Sequence, residues 1–117
     1  MTVELVYDLV VVLHFLGLAS LIGGWLVQLR ARGERYVNPA MVHGALTQLV
    51  TGLVIVGLGD SALDKEFDYA KIGTKLAITA IVLVLVWMNR RKELIPDGLY
   101  FIIGGLAIFN VLLAVLW

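Results

Sequence analysis

Residues 69–88 read YAKIGTKLAITAIVLVLVWM, an apolar run with one charge, Lys75, well inside it. About 20 apolar residues wound as a helix cross the roughly 30 Å of hydrocarbon in a bilayer. A cation inside such a run with no acid beside it in sequence is costly and needs a reason. Three further runs of the same kind lie at about residues 5–29, 39–58 and 96–117. Every other Lys, Arg, Asp and Glu falls at an end of a run or in a connection.

Composition agrees with the runs. Hydrophobic residues make up 61% of the 117-residue chain and charged residues 15%, with a mean hydropathy of +0.95. Ordinary globular domains are about half apolar and a quarter charged. The runs and connections use up the length, so a single transmembrane domain (residues 1–117) is expected, with no room for a soluble catalytic domain. Nine basic residues balance nine acidic ones, and no basic patch points to nucleic acid. The absence of cysteine excludes disulfides, thiolate metal sites, iron–sulfur clusters and c-type haem attachment. Glu4 and Asp8 stand at the start of the first run, where a cleaved signal would carry basic residues, so that run reads as a permanent span.

The connections are short, which makes successive helices antiparallel neighbours. The expected fold is all-α, an integral membrane up-down four-helix bundle. Pro39 after Asn38, and Pro96, suit helix starts. Arg30, Arg32 and Arg35 mark the first connection and Arg90, Arg91 and Lys92 the third, whereas Asp60, Asp64, Glu66 and Asp68 mark the middle one. The positive-inside rule places the first and third connections in the cytoplasm and both termini outside. A multi-pass plasma-membrane protein is expected, with the lipid bilayer as its first partner. Tyr7, Tyr36, Tyr69, Trp87, Tyr100 and Trp117 fall near span ends, as interfacial anchors do.

Polar residues inside the runs recur at helical spacing. Lys71, Lys75 and Thr79 lie at i, i+4 and i+8; Thr47, Gln48 and Thr51 share a face with Gly44 and Gly52. Polar faces avoid lipid. At about 1.5 Å per residue, His14, Gln48, Thr51, Lys75, Thr79 and Asn110 come within about two helical turns of one level. A polar cavity in the outer half of the bundle, open toward the acidic connection, is the expectation. Set against it, Thr47, Thr51, Thr79 and Ser20 suit bonds to backbone carbonyls or to a neighbouring helix, and His14 a structural role.

Imidazole ligates metals and haem iron. His14 and His43 differ in level by about 14 Å, whereas two axial ligands of one iron lie about 4 Å apart. They are not expected to clamp one haem. Gly23 and Gly24, with Gly17 one turn earlier, form a small-residue surface on the first helix, and Gly104 and Gly105 do so on the fourth; such surfaces serve packing within the bundle or a homo-oligomer.

The first run reads His14-Phe15-Leu16-Gly17-Leu18-Ala19-Ser20-Leu21-Ile22-Gly23-Gly24. This histidine, followed about nine residues on by a glycine pair, resembles the first helix of the copper-resistance D-type membrane proteins. It is similar also to that of the small haem-containing membrane protoporphyrinogen oxidases. The third run, with Lys75-Leu76-Ala77-Ile78 and then Arg90 and Arg91, resembles the corresponding helix of both groups. The pattern also resembles small predicted four-helix membrane proteins with no assigned activity. The resemblance implies haem b in the bundle, with His14 and Lys75 as its functional pair.

Three functions are therefore expected candidates. One is a haem- or ligand-binding membrane protein using His14 and Lys75. Another is an accessory subunit or homo-oligomer, alone or in a larger membrane complex. The third is a small-solute transporter.

Overall fold

The computed structural model describes residues 2–61, 66 and 68–117. Among these residues it has four helices: α1 (Val3–Leu26), α2 (Pro39–Ser61), α3 (Tyr69–Asn89) and α4 (Asp97–Leu116). At the standard rise each spans about 30–36 Å. All four are long and apolar enough to cross a membrane. Helices of this length form where capping residues meet runs without internal proline. Thr2 accepts from the Leu5 N–H at 3.1 Å, Asn38 from the Met41 N–H at 3.0 Å, and Asp68 from the Ala70 N–H at 3.1 Å. Pro96 stands at the N-cap of α4 with no side-chain cap.

Each helix packs on the next in chain order, and α4 returns to α1; among the described residues the backbones of diagonal pairs stay further apart. The end of α1 meets the starts of α2 and α4, since Asn38 Nδ2 donates to the Gly24 carbonyl and Trp25 Nε1 to that of Tyr100. Neighbours are therefore antiparallel and the bundle is up-down.

Polarity is distributed inside out. Gln28, Arg35, Gln48, Thr51, Thr79 and Asn89 are buried, while Phe15, Leu16, Met88, Val115 and Leu116 are exposed. A helix apolar all round belongs in a core or in lipid, and an exposed apolar belt of this extent is not what water tolerates. These are the features of a multi-pass membrane protein.

The helix contacts depend on small residues. A Cβ on Gly44 would lie 2.8 Å from Leu21 Cα and closer still to the Gly17 carbonyl oxygen, so α1 and α2 cross backbone to backbone there. A Cβ on Gly17 would lie 2.7 Å from Thr47 Cγ2, and one on Gly104 would overlap the Trp25 indole. Gly24 is packed against Asn38, Ala40 and Met41, whereas Gly23 and Gly105 face open space.

Two expectations need correction. The first helix stops at Leu26, short of Leu29, because the Arg35 guanidinium folds back onto the chain beyond it. Its Nε donates to the Gln28 carbonyl at 3.0 Å, and a second nitrogen donates to that of Leu29. Tyr100 is not an interfacial anchor; it is fully buried. It stacks on Trp25 with centroids 5.0 Å apart, and its hydroxyl donates to the Trp25 carbonyl. Gly104 makes the room for that indole. By contrast Tyr36, Tyr69, Trp87 and Trp117 are exposed near helix ends, and Arg90 lies 3.8 Å over the Trp87 ring.

Candidate ligand-binding cavity

A cavity of ≈ 430 Å³ opens between the helices at the end carrying the α2–α3 connection. Its polar wall brings together His14 from α1, Gln48 from α2, Lys75 and Thr79 from α3, and Asn110 from α4. Val11, Ile55, Val56, Ile72 and Leu76 supply the apolar wall, and Glu66, Asp68 and Lys71 stand at the mouth. The volume lies within the roughly 300–1,000 Å³ of small-molecule sites. The opposite half of the bundle is filled by Met41, Val86, Tyr100 and Ile103, all fully buried. The cavity is thus open at one end and closed at the other.

Thr51 stands behind the wall and orients it. Its hydroxyl donates to the Thr47 carbonyl one turn back at 2.5 Å, which uses its only hydrogen. The His14 Nδ1 at 2.7 Å is then the donor to Thr51 Oγ1. In the neutral ring this leaves the lone pair on Nε2, the nitrogen available to a ligand. Gln48 Nε2 donates to the His14 carbonyl, tying α2 to α1 beneath the imidazole. On the far wall Thr79 donates to the Lys75 carbonyl at 2.8 Å, and Asn110 Nδ2 donates to Thr79 Oγ1 at 2.9 Å.

Lys75 is half-buried, and among the described residues its ammonium has no hydrogen-bond or acid partner. Neither Glu66 nor Asp68 at the mouth forms an ion pair with it. Asp68 caps α3 through the Ala70 and Lys71 N–H groups, and Lys71 Nζ donates to the main-chain oxygen of Trp117 at 2.8 Å. Asp60 accepts from the Tyr69 hydroxyl at 2.6 Å.

His43 is exposed on the other half of α2, away from the cavity. Ser20 spans α1 and α2, donating to the Ala40 carbonyl at 2.8 Å. Among the described residues no three His, Cys, Asp or Glu side chains group closely enough to hold a metal ion. Asp64, expected in the acidic connection, lies outside the described residues.

The polar cluster that sequence reasoning missed sits at the opposite end. Arg35 pairs with Asp97 at 3.1 Å and lies 4.5 Å over the Tyr100 ring and 4.8 Å over that of Phe101. Gln28 bridges the first connection to itself, donating to the Tyr36 carbonyl at 2.9 Å and accepting the Tyr36 N–H at 2.8 Å. The Ile95 N–H donates to the Arg35 carbonyl at 2.8 Å. Among the described residues no buried side-chain nitrogen or oxygen of this cluster lacks a partner, which marks it as a structural lock between the first and third connections.

Comparison with protein-family models, with curated proteins and with solved structures finds no match to this chain.

Proposed function

We propose that this chain is a multi-pass plasma-membrane protein whose one-ended cavity binds a small anionic solute, with Lys75 as its counter-ion and His14 beside it. The single observation that supports the reading most is the unpaired Lys75 ammonium on the wall of a ≈ 430 Å³ cavity. A cation kept at membrane depth without a protein partner is stabilised when an anion joins it. The apolar wall suits a ligand with an organic body.

Benzoate in mild detergent is the direct test. It is expected to raise the melting temperature in a concentration-dependent way, because a ligand that binds only the folded state stabilises it. Lys75→Met is expected to melt no lower than the native chain without ligand, since it removes an unpaired charge, yet to lose the benzoate shift. Gly52→Leu, which projects a side chain into the cavity toward Leu76 and His14, is expected to lose it too. A native chain unmoved by benzoate, or a shift that survives in Lys75→Met, overturns the reading.

Haem b is a second reading, favoured by the His14 Nε2 lone pair and by the resemblance of the first and third helices. His14 would hold the iron and Lys75 a propionate, and the bound group would supply one-electron chemistry. The same preparation is then expected to show a Soret band that His14→Ala abolishes; a protein still colourless after haem addition excludes this reading. An accessory role is a third, supported by Gly23 and Gly105, whose open surfaces suit a second copy or a larger membrane complex. A one-ended cavity also serves a transporter in one of its states.

The proposed orientation has both termini and the acidic connection outside and the two basic connections in the cytoplasm. The chain has no native cysteine, so single replacements report cleanly. Glu66→Cys is expected to react with a membrane-impermeant maleimide on intact cells, and Glu93→Cys only after permeabilisation. The reverse pattern inverts the assignment.

A further inference from the structure

Toward its open end the cavity lacks a fourth wall. Among the described residues α4 lends it Asn110 alone, yet that helix continues to Leu116, about 9 Å further toward the open end. α4 buries no residue beyond Ala107, and α1 none before Gly17. The other three sides are tied. His14 Nδ1 joins α1 to α2 through Thr51 at 2.7 Å. The Tyr69 hydroxyl joins α3 to Asp60 near the end of α2 at 2.6 Å. Lys71 Nζ holds the end of α4 against α3 through the Trp117 main-chain oxygen. α1 and α4 are fastened at the closed end, where Trp25 Nε1 donates to the Tyr100 carbonyl and Gly104 makes room for the indole. Of the neighbouring helix pairs they have the sparsest contact. The missing wall therefore falls between α1 and α4, in the half of the bundle away from Trp25. The two helices read LVVVL at residues 9–13 and VLLAVL at residues 111–116 there. Both are apolar enough to cross a membrane, so this side opens onto lipid.

Resting on the anion reading above, we infer that the ligand is a single-chain amphiphilic acid that enters sideways from the bilayer. Its carboxylate meets Lys75 and its alkyl chain leaves between α1 and α4. The apolar wall at Val11, Ile72 and Leu76 covers the first part of the chain and keeps water from the ion pair, which strengthens it. An anion arriving from water would instead pass Glu66 and Asp68 at the mouth, where like charge works against it. Depth selects the single chain. Lys75 lies six residues into α3 from Tyr69, about 9 Å along the axis. A lone carboxylate taken to that depth has its counter-ion waiting, and its chain never leaves hydrocarbon. A two-chain phospholipid would have to draw its phosphate and glycerol out of the interface to reach the same ammonium.

The test uses the full chain in phosphatidylcholine nanodiscs with palmitic acid carrying a photoreactive diazirine in mid-chain. The methyl ester of the same probe, which has no charge for Lys75, gives the background from bulk lipid. After irradiation the acid is expected to label α1 and α4 within residues 3–16 and 110–117 about tenfold more than the ester does. Lys75→Met is expected to bring the acid down to the ester's level. Benzoate is expected to displace the acid-dependent label in the native chain, which keeps the test open should Lys75→Met fail to fold. Equal labelling by acid and ester overturns the inference; if benzoate still raises the melting temperature, the anion reading stands and the ligand is water-borne. Acid-dependent label spread evenly over all four helices overturns the sideways route. A phosphatidylglycerol with the same diazirine chain that labels as strongly as the acid, and depends as much on Lys75, overturns the single-chain assignment. Absence of both the acid-dependent label and the benzoate shift overturns both readings together.

Discussion

Gly44→Leu is expected to separate α1 from α2 and cost about 3 kcal/mol or more of stability, measured as a lower melting temperature in mild detergent. At this position there is nothing flexible to move. The new Cβ meets the Gly17 carbonyl and the Leu21 backbone, so one helix must shift bodily. That shift breaks the Gln48 bond to the His14 carbonyl, the His14–Thr51 bond and the Ser20–Ala40 bond. The ligand cavity is lost with the packing, because two of its wall residues, His14 and Gln48, are held through this crossing. Gly23→Leu and Gly105→Leu, facing open space, are expected to leave the monomer's melting temperature unchanged. A Gly44→Leu protein that melts like the native chain would mean the helices do not approach this closely.

Arg35→Met is expected to be nearly as damaging, at about 3 kcal/mol. Arg35 is buried and anchors the basic end through three kinds of contact at once. It pairs with Asp97, donates to the Gln28 and Leu29 carbonyls beyond α1, and covers the faces of Tyr100 and Phe101. Methionine fills the volume but leaves the carbonyls unanswered and Asp97 with only the Gly33 N–H at 3.3 Å. Arg35→Lys is expected to recover less than half the loss, because an ammonium cannot fork between two carbonyls and a carboxylate while stacking on rings. Asp97→Asn added to Arg35→Met should cost less than the sum of the two single changes, since the charges are coupled. Additive losses, or an Arg35→Met protein of native stability, would show the cluster to be incidental. Ligand binding, at the other end of the bundle, is expected to survive in any Arg35 variant that remains folded.

Much of the candidate site could be read from the chain alone. Lys75 stands out because a charge inside an apolar run is costly and about four residues is a long reach for it to snorkel, and His14, Gln48, Thr79 and Asn110 follow from helical rise and the short connections. The lock at the other end could not be read in this way. Arg35 looks like one basic loop residue among several, and Tyr100 like any tyrosine near a span end. What distinguishes them is a contact across 65 residues of sequence, Arg35 on Tyr100, and no local pattern signals it. The same applies to the glycines. Gly17, Gly23, Gly24, Gly104 and Gly105 look alike as small residues, but only neighbouring helices decide which of them bear on a backbone or a ring.

Length, hydropathy and the spacing of charges were enough for the four helices, their order and their antiparallel course, because each is a local or nearest-neighbour property of the chain. A run of apolar residues must satisfy its own backbone in lipid, and only a helix does so alone. Tertiary structure decided the rest: where α1 ends, which tyrosine is buried, which glycines are contact points, and which way each polar side chain presents its hydrogens. Those depend on what a partner helix already donates or accepts. The bonds from Thr79 to the Lys75 carbonyl and from Thr51 to the Thr47 carbonyl orient Asn110 and His14. That polarity exists only once the helices have met.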